Sequence, residues 1–186
     1  MEAKKHDLAR SHDHGAVGPA VTLGLLAAWM VHDAEEVAAV PGWTRGRVPE
    51  IRQRITVVPD AVWDRLESME RREMATAVAL VGAVVAVAAV DGQRTGGRSA
   101  CYQAVLNGFG LHGLAHVAQS LAVRGYTPGV ATSPTLVVPF TLWARSRLRR
   151  AGVLRPGRPR DAVTSLAIAG VVAGASQVIA RRLTRR

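Results

Sequence analysis

Residues 74–90 read MATAVALVGAVVAVAAV, a run of Ala, Val, Leu and Gly with one Met, one Thr and no charge. A helix of this length and composition crosses the hydrocarbon of a bilayer, where an isolated charge is costly. A soluble fold has no comparable use for it. Working outward, four further blocks share its character, at residues 17–40, 100–123, 131–144 and 162–180. The pattern predicts an all-α, polytopic membrane helical bundle of about five transmembrane helices. It forms one domain over residues 17–180, between a polar mobile tail at 1–16 and a basic tail at 181–186. The first block is followed by four more and lacks a small-residue cleavage site, so it reads as a retained span and not a signal peptide.

Charge agrees with this picture. The net charge is +10, but the arginines flank the apolar blocks and form no stripe with interleaved aromatics, which argues against nucleic acid and for lipid phosphates as partners. Lys4 and Lys5 are the only lysines. Excess arginine with abundant Ala, Gly and Val points to a GC-rich bacterial source and hence a bacterial plasma membrane. Cys101 stands alone, so no intramolecular disulfide forms. With five spans, Lys and Arg divide equally between the two sides, so the positive-inside rule assigns no orientation. Nothing in the sequence sets an oligomeric state.

Turn chemistry sets the expected boundaries. Pro41-Gly42 is expected to end the first helix, leaving residues 41–59, with Pro41, Pro49 and Pro59, as a loop or interfacial segment. Asp60 is an N-cap candidate for a second helix that starts in the interface, with Val62, Leu66, Met69, Glu73, Thr76 and Ala77 down one face. Pro134 and Pro139 predict a kink in the fourth span. Gly170 and Gly174, four apart, read as a close helix-packing motif. In the tail, His6, His12 and His14 read as solvated.

Ionisable residues inside the apolar blocks are the functional signal. The first span contains His32-Asp33-Ala34-Glu35-Glu36, and at about 100° per residue His32, Glu35 and Glu36 share one face while Asp33 points elsewhere, toward the interface. The third span brings His112 and His116 one turn apart, with Gln119 following. Glu73 lies in an apolar stripe at the same side of the bilayer and is a further candidate. Asn107 faces another helix, and Gly108, Gly110 and Gly113 read as sites of close packing. Each such group is costly at membrane depth, so a cluster of them reads as a site.

The same residues resemble a family. His32-Asp33-Ala34-Glu35-Glu36 is similar to the H-x-x-E-E motif that names the HXXEE group of uncharacterised bacterial membrane proteins. Asn107, His112, His116 and the Tyr126-Thr127-Pro128-Gly129 turn resemble the later part of its pattern, over roughly residues 20–140. The resemblance implies a shared site and no particular reaction.

Imidazole and carboxylate without a thiolate cluster suit zinc, manganese or iron. By analogy with the H-x-x-E-H metalloprotease pattern, His32 and Glu36 are expected as metal ligands with Glu35 as catalytic base, completed by His112 and His116 and supported by Glu73. The expected function is a metal-dependent enzyme, hydrolase or isomerase-like, acting on a lipid-soluble small molecule. Alternatives are a metal-free acid and base isomerase or cyclase, a metal-ion or proton carrier, and a structural membrane partner protein.

Overall fold

The computed structural model describes residues 16–156 and 159–184. The expectations for the histidine tail and for the last two residues of the basic tail lie outside them. Among the described residues the chain is all-helical. A short α1 (Pro19–Thr22) leads into α2 (Gly24–Arg54), followed by α3 (Asp60–Glu67), α4 (Arg71–Arg94) and α5 (Ala100–Val123). A π-helical turn (Ser133–Val137) opens α6 (Val138–Arg150), and α7 (Pro159–Thr184) ends the described chain.

The long helices α2, α4, α5, α6 and α7 alternate in direction. At one end Val17 N–H donates to the Gly96 carbonyl, and Gln103 Nε2 bridges the Gly97 and Val153 carbonyls at 2.8 Å each. At the other end Trp43 Nε1 donates to the Tyr126 carbonyl at 2.8 Å, and an Arg65 Nη atom reaches Gln177 at 3.5 Å. A five-helix bundle is therefore observed, but only α4, with mean hydropathy 2.2, is long and apolar enough among the described residues to cross a membrane by itself.

The first boundary differs from expectation. Pro41 and Pro49 do not end α2, which runs through both to Arg54. Each proline removes one N–H from the helical ladder, yet Pro41, Thr44 and Val48, at helical spacing, form a buried face that keeps the extension packed. Arg52 at its end also binds Asp60 at 2.7 Å and Asp64 at 2.9 Å of α3. The second predicted helix is instead interrupted: α3 stops at Glu67, and α4 restarts at Arg71. Asp60 is the first residue of α3, and Pro59 is its N-cap.

Helix α5 behaves as its sequence suggests at two of its three glycines; Gly108 is not a site of close packing, since a Cβ there would meet nothing within 4 Å among the described residues. Ser99 caps it by accepting from Tyr102 N–H at 3.0 Å. Gly110 and Gly113 let α6 and the π-turn approach, since a Cβ there would meet Thr141 at 2.6 Å and Val137 at 2.7 Å. The predicted kink at Pro134 takes the form of the π-turn, with the Ser133 hydroxyl donating to the Gly129 carbonyl at 2.6 Å. The packing role expected of Gly170 and Gly174 is not seen: a Cβ at either would meet nothing within 4 Å among the described residues.

Candidate metal centre

One turn and a half of α2 distributes four ionisable side chains across the molecule. Taking His32 as origin, ideal geometry sets Glu35 about 60° to one side, Glu36 about 40° to the other, and Asp33 about 100° to that same side. The two ends of this fan meet different surroundings. Glu35 meets the loop between α5 and α6, whereas Asp33 meets a cavity.

Glu35 is fully engaged by that loop. Its Oε1 accepts from the Tyr126 hydroxyl at 2.9 Å and from Gly129 and Ala131 N–H at 3.1 and 3.2 Å. Its Oε2 accepts from Thr132 N–H at 2.9 Å and from the Thr132 hydroxyl at 2.7 Å. Two backbone features make this cradle. Gly129 adopts φ +84°, a region open chiefly to glycine, and the chain then turns directly into the π-turn. Tyr126, on the loop, has its phenol pushed up to about 12 by partial desolvation, by its hydrogen bond to Glu35 and by that group's charge. The catalytic base expected at Glu35 is not what this arrangement provides: five donors saturate the carboxylate and make it the anchor of the loop.

Thr132 passes this anchoring on to His32. With its hydroxyl hydrogen directed at Glu35, Thr132 Oγ1 accepts from His32 Nδ1 at 2.7 Å. That bond puts the proton on Nδ1 and leaves Nε2 with a lone pair. His32 Nε2 is buried and has no hydrogen-bond partner among the described residues.

The other candidates close around it. His116 Nε2 lies 2.9 Å from His112 Nε2 and 3.0 Å from a Glu36 carboxylate oxygen, which is 3.8 Å from His112 Nε2. His32 packs edge-on against both imidazoles, with ring centroids 5.2 and 5.1 Å away. His32, Glu36, His112 and His116 each offer one ligand atom, and these atoms all lie within 4.8 Å of one another. Ligand bonds of about 2.1 Å at tetrahedral angles separate neighbouring donors by roughly 3.4 Å. The observed spacings bracket that value, so the group can hold a metal ion. His116 is fixed from behind, since a Cβ on Gly129 would stand 2.8 Å from its ring.

Other expectations fare differently. Glu73 is buried but does not join the four: it pairs with Arg65 of α3. The break at residues 68–70 folds α3 back so that Arg65 reaches it, a local return that a continuous helical stripe did not foretell. Asn107 faces another helix as expected, accepting from Arg145 of α6. Gln119 is exposed. Asp33 was expected at the interface, yet it is 7% exposed and lines the cavity. Thr132 was missed because a threonine beside a turn carries no signal until its neighbours are known.

The cavity has a volume of about 260 Å³ and lies among α2, α4, α5 and α7. Asp33, Glu36 and His112 share its wall with Trp29, Phe109 and valines of α4. Two of the four clustered residues are therefore reached from an apolar chamber.

These features define an all-helical bundle with a histidine and carboxylate cluster joined to an apolar cavity. The chain belongs to the HXXEE family, described as "Protein of unknown function with HXXEE motif", which it matches over residues 23–144. The matched region contains His32, Glu35, Glu36, His112, His116 and the Gly129 loop. No curated protein and no solved structure matches the chain.

Proposed function

We propose that this protein is an integral membrane enzyme whose His32, Glu36, His112 and His116 hold a divalent metal, and that it acts as a hydrolase or isomerase on a lipid-soluble small molecule. The observation that carries this reading is the convergence of four ligand atoms within 4.8 Å, one of them on a histidine whose tautomer is set by Thr132. His32 Nε2 has no partner among the described residues, and a buried nitrogen lone pair left unpaired is one that a metal ion would satisfy.

The bilayer is supported by α4 and by the outward faces of the other helices. Met30 and Val31 on α2, Leu114 and Leu121 on α5, Leu142 on α6 and Val171 on α7 are each more than half exposed. Such a spread of apolar side chains suits lipid better than water. Arg71 and Arg72 at one end and Arg147, Arg149 and Arg150 at the other suit headgroups.

Three imidazoles and one carboxylate fit zinc, manganese or iron. Four protein ligands fill a tetrahedral zinc site, while manganese and iron take more ligands and so favour catalysis here. The metal would supply a polarised substrate oxygen or an activated water. The protein's own residues hold the imidazoles in place and present Glu36 and His112 to the cavity. Glu35 acts through Thr132 and positions His32.

Elemental analysis of detergent-purified protein tests this, with wild type beside His32→Ala and His116→Ala, each checked for helicity and size. Stoichiometric metal in wild type, lost in both folded variants, is the expected result. Absence of metal from wild type after reconstitution would overturn the reading. Retention in the membrane pellet after alkaline carbonate washing tests the bilayer placement, and release into the supernatant would refute it.

A further inference from the structure

Asp33 stands out among the groups the metal centre does not use. It is 7% exposed, it faces the cavity, and no hydrogen bond or ion pair joins its carboxylate to any described residue. A buried polar group without a partner is costly. Its neighbours on the cavity wall are mostly apolar, with Trp29 one helical turn before it and Phe109 and Val105 facing it from α5. The cavity thus presents an apolar body and one concentrated polar end, the pattern of a site for a small amphiphile.

Size and charge narrow the ligand. An apolar cavity of about 150 Å³ accepts a benzene ring, so about 260 Å³ accommodates roughly ten heavy atoms. On the metal reading above, this cavity is where the substrate meets Glu36 and His112. An ammonium ligand would carry its charge into an apolar chamber at a large desolvation cost, whereas a hydroxyl costs far less and matches a carboxyl oxygen.

We propose that the cavity binds an alcohol, an apolar body of about ten heavy atoms or the hydroxyl-bearing end of a longer lipid, with Asp33 accepting the hydrogen bond from its hydroxyl group. Gly108 helps to make the room. It lines the cavity, and a Cβ there would meet nothing within 4 Å. Asp33 is then a substrate-positioning residue beside Glu36 and His112.

Quenching of Trp29 by bromine measures occupancy directly. The probes are 2-(4-bromophenyl)ethanol, 1-bromo-4-ethylbenzene and 2-(4-bromophenyl)ethylammonium, added to the protein in nanodiscs, with Trp29→Phe subtracted as reference. The alcohol is expected to act at about tenfold lower concentration in the bilayer than either other probe, the scale of one hydrogen bond. Asp33→Leu should reduce the alcohol to the level of the hydrocarbon, and Asp33→Asn should keep most of the preference. Gly108→Leu, which fills open space and favours the helix, should abolish Trp29 quenching by all three. Equal quenching by the three probes, preference for the ammonium, or an alcohol preference that survives Asp33→Leu would overturn the proposal. Metal content measured on the same discs separates the two readings. Alcohol preference in protein that binds no metal refutes the metal centre and keeps the alcohol site, and metal without alcohol preference does the reverse.

Discussion

Thr132 Oγ1 lies 2.7 Å from His32 Nδ1 and thereby ties a loop to a ring nitrogen one hundred residues away in sequence. The same hydroxyl donates to Glu35, so the fourth position of the H-x-x-E-E motif controls the first through a residue outside the motif. Removing that link is the most direct probe of the site. Thr132→Val keeps the side-chain volume and loses both bonds. Metal affinity, measured by competition with a chromogenic chelator, is expected to fall about tenfold to a hundredfold, the usual effect of losing a partner that orients a ligand. Thr132→Ser should retain most of it, and equal affinity in wild type and Thr132→Val would remove the orienting role.

Gly129 meets two demands at once, a φ of +84° and direct contact with the His116 ring. Gly129→Ala is expected to cost about 1–3 kcal/mol through backbone strain alone and to displace His116, with loss of bound metal. Gly125→Ala is the control, since its Cβ would approach nothing closer than 3.7 Å. Thermal unfolding in detergent and elemental analysis on both variants check this; identical behaviour of the two would refute it.

Glu73 and Arg65 form a pair that belongs to folding and not to the cluster. Glu73→Ala leaves a largely buried guanidinium uncompensated and should destabilise the protein by about 3–5 kcal/mol. Metal affinity of the fraction that remains folded should match wild type. The double change Arg65→Met with Glu73→Leu should recover most of the stability. Loss of metal from well-folded Glu73→Ala protein would return Glu73 to the ligand set.

Tyr126 supplies a pH-dependent reading of the loop. Its phenol titrates at about 12 in the folded chain, against about 10 in an unfolded one. Because the folded value is the higher, the contribution to stability is complete below about pH 10 and is lost as pH rises through 12. Ultraviolet absorbance of phenolate, taken as the difference between wild type and Tyr126→Phe, should show the late midpoint. Glu35→Gln should move it toward 10, and an unchanged midpoint would sever Tyr126 from Glu35.

Much of the bundle was legible because its signals are local. The uncharged run at residues 74–90 specifies an apolar helix, and the apolar block at residues 100–123 coincides with α5. Prolines misled at 41 and 49, since a breaker is judged locally while the buried face of Pro41, Thr44 and Val48 rewards continuing the helix. The candidate site was legible in part: helical spacing alone put His32 beside Glu36 and His112 beside His116. Spacing could not tell that Glu35 turns to the loop and Asp33 to the cavity, because each lies at the margin of the face and only its neighbours decide.

What the sequence by itself determined is therefore the helical character of the chain and the pairing of His32 with Glu36 and of His112 with His116, both consequences of periodicity within one segment. What only the tertiary structure decided is the division of labour among the carboxylates. Glu35 anchors a loop, Glu36 joins the imidazoles, Glu73 neutralises Arg65, and Asp33 faces an open chamber. The residue type is nearly the same in all four. The roles differ because a carboxylate takes its function from the donors and charges around it, and those arrive from segments distant in the chain.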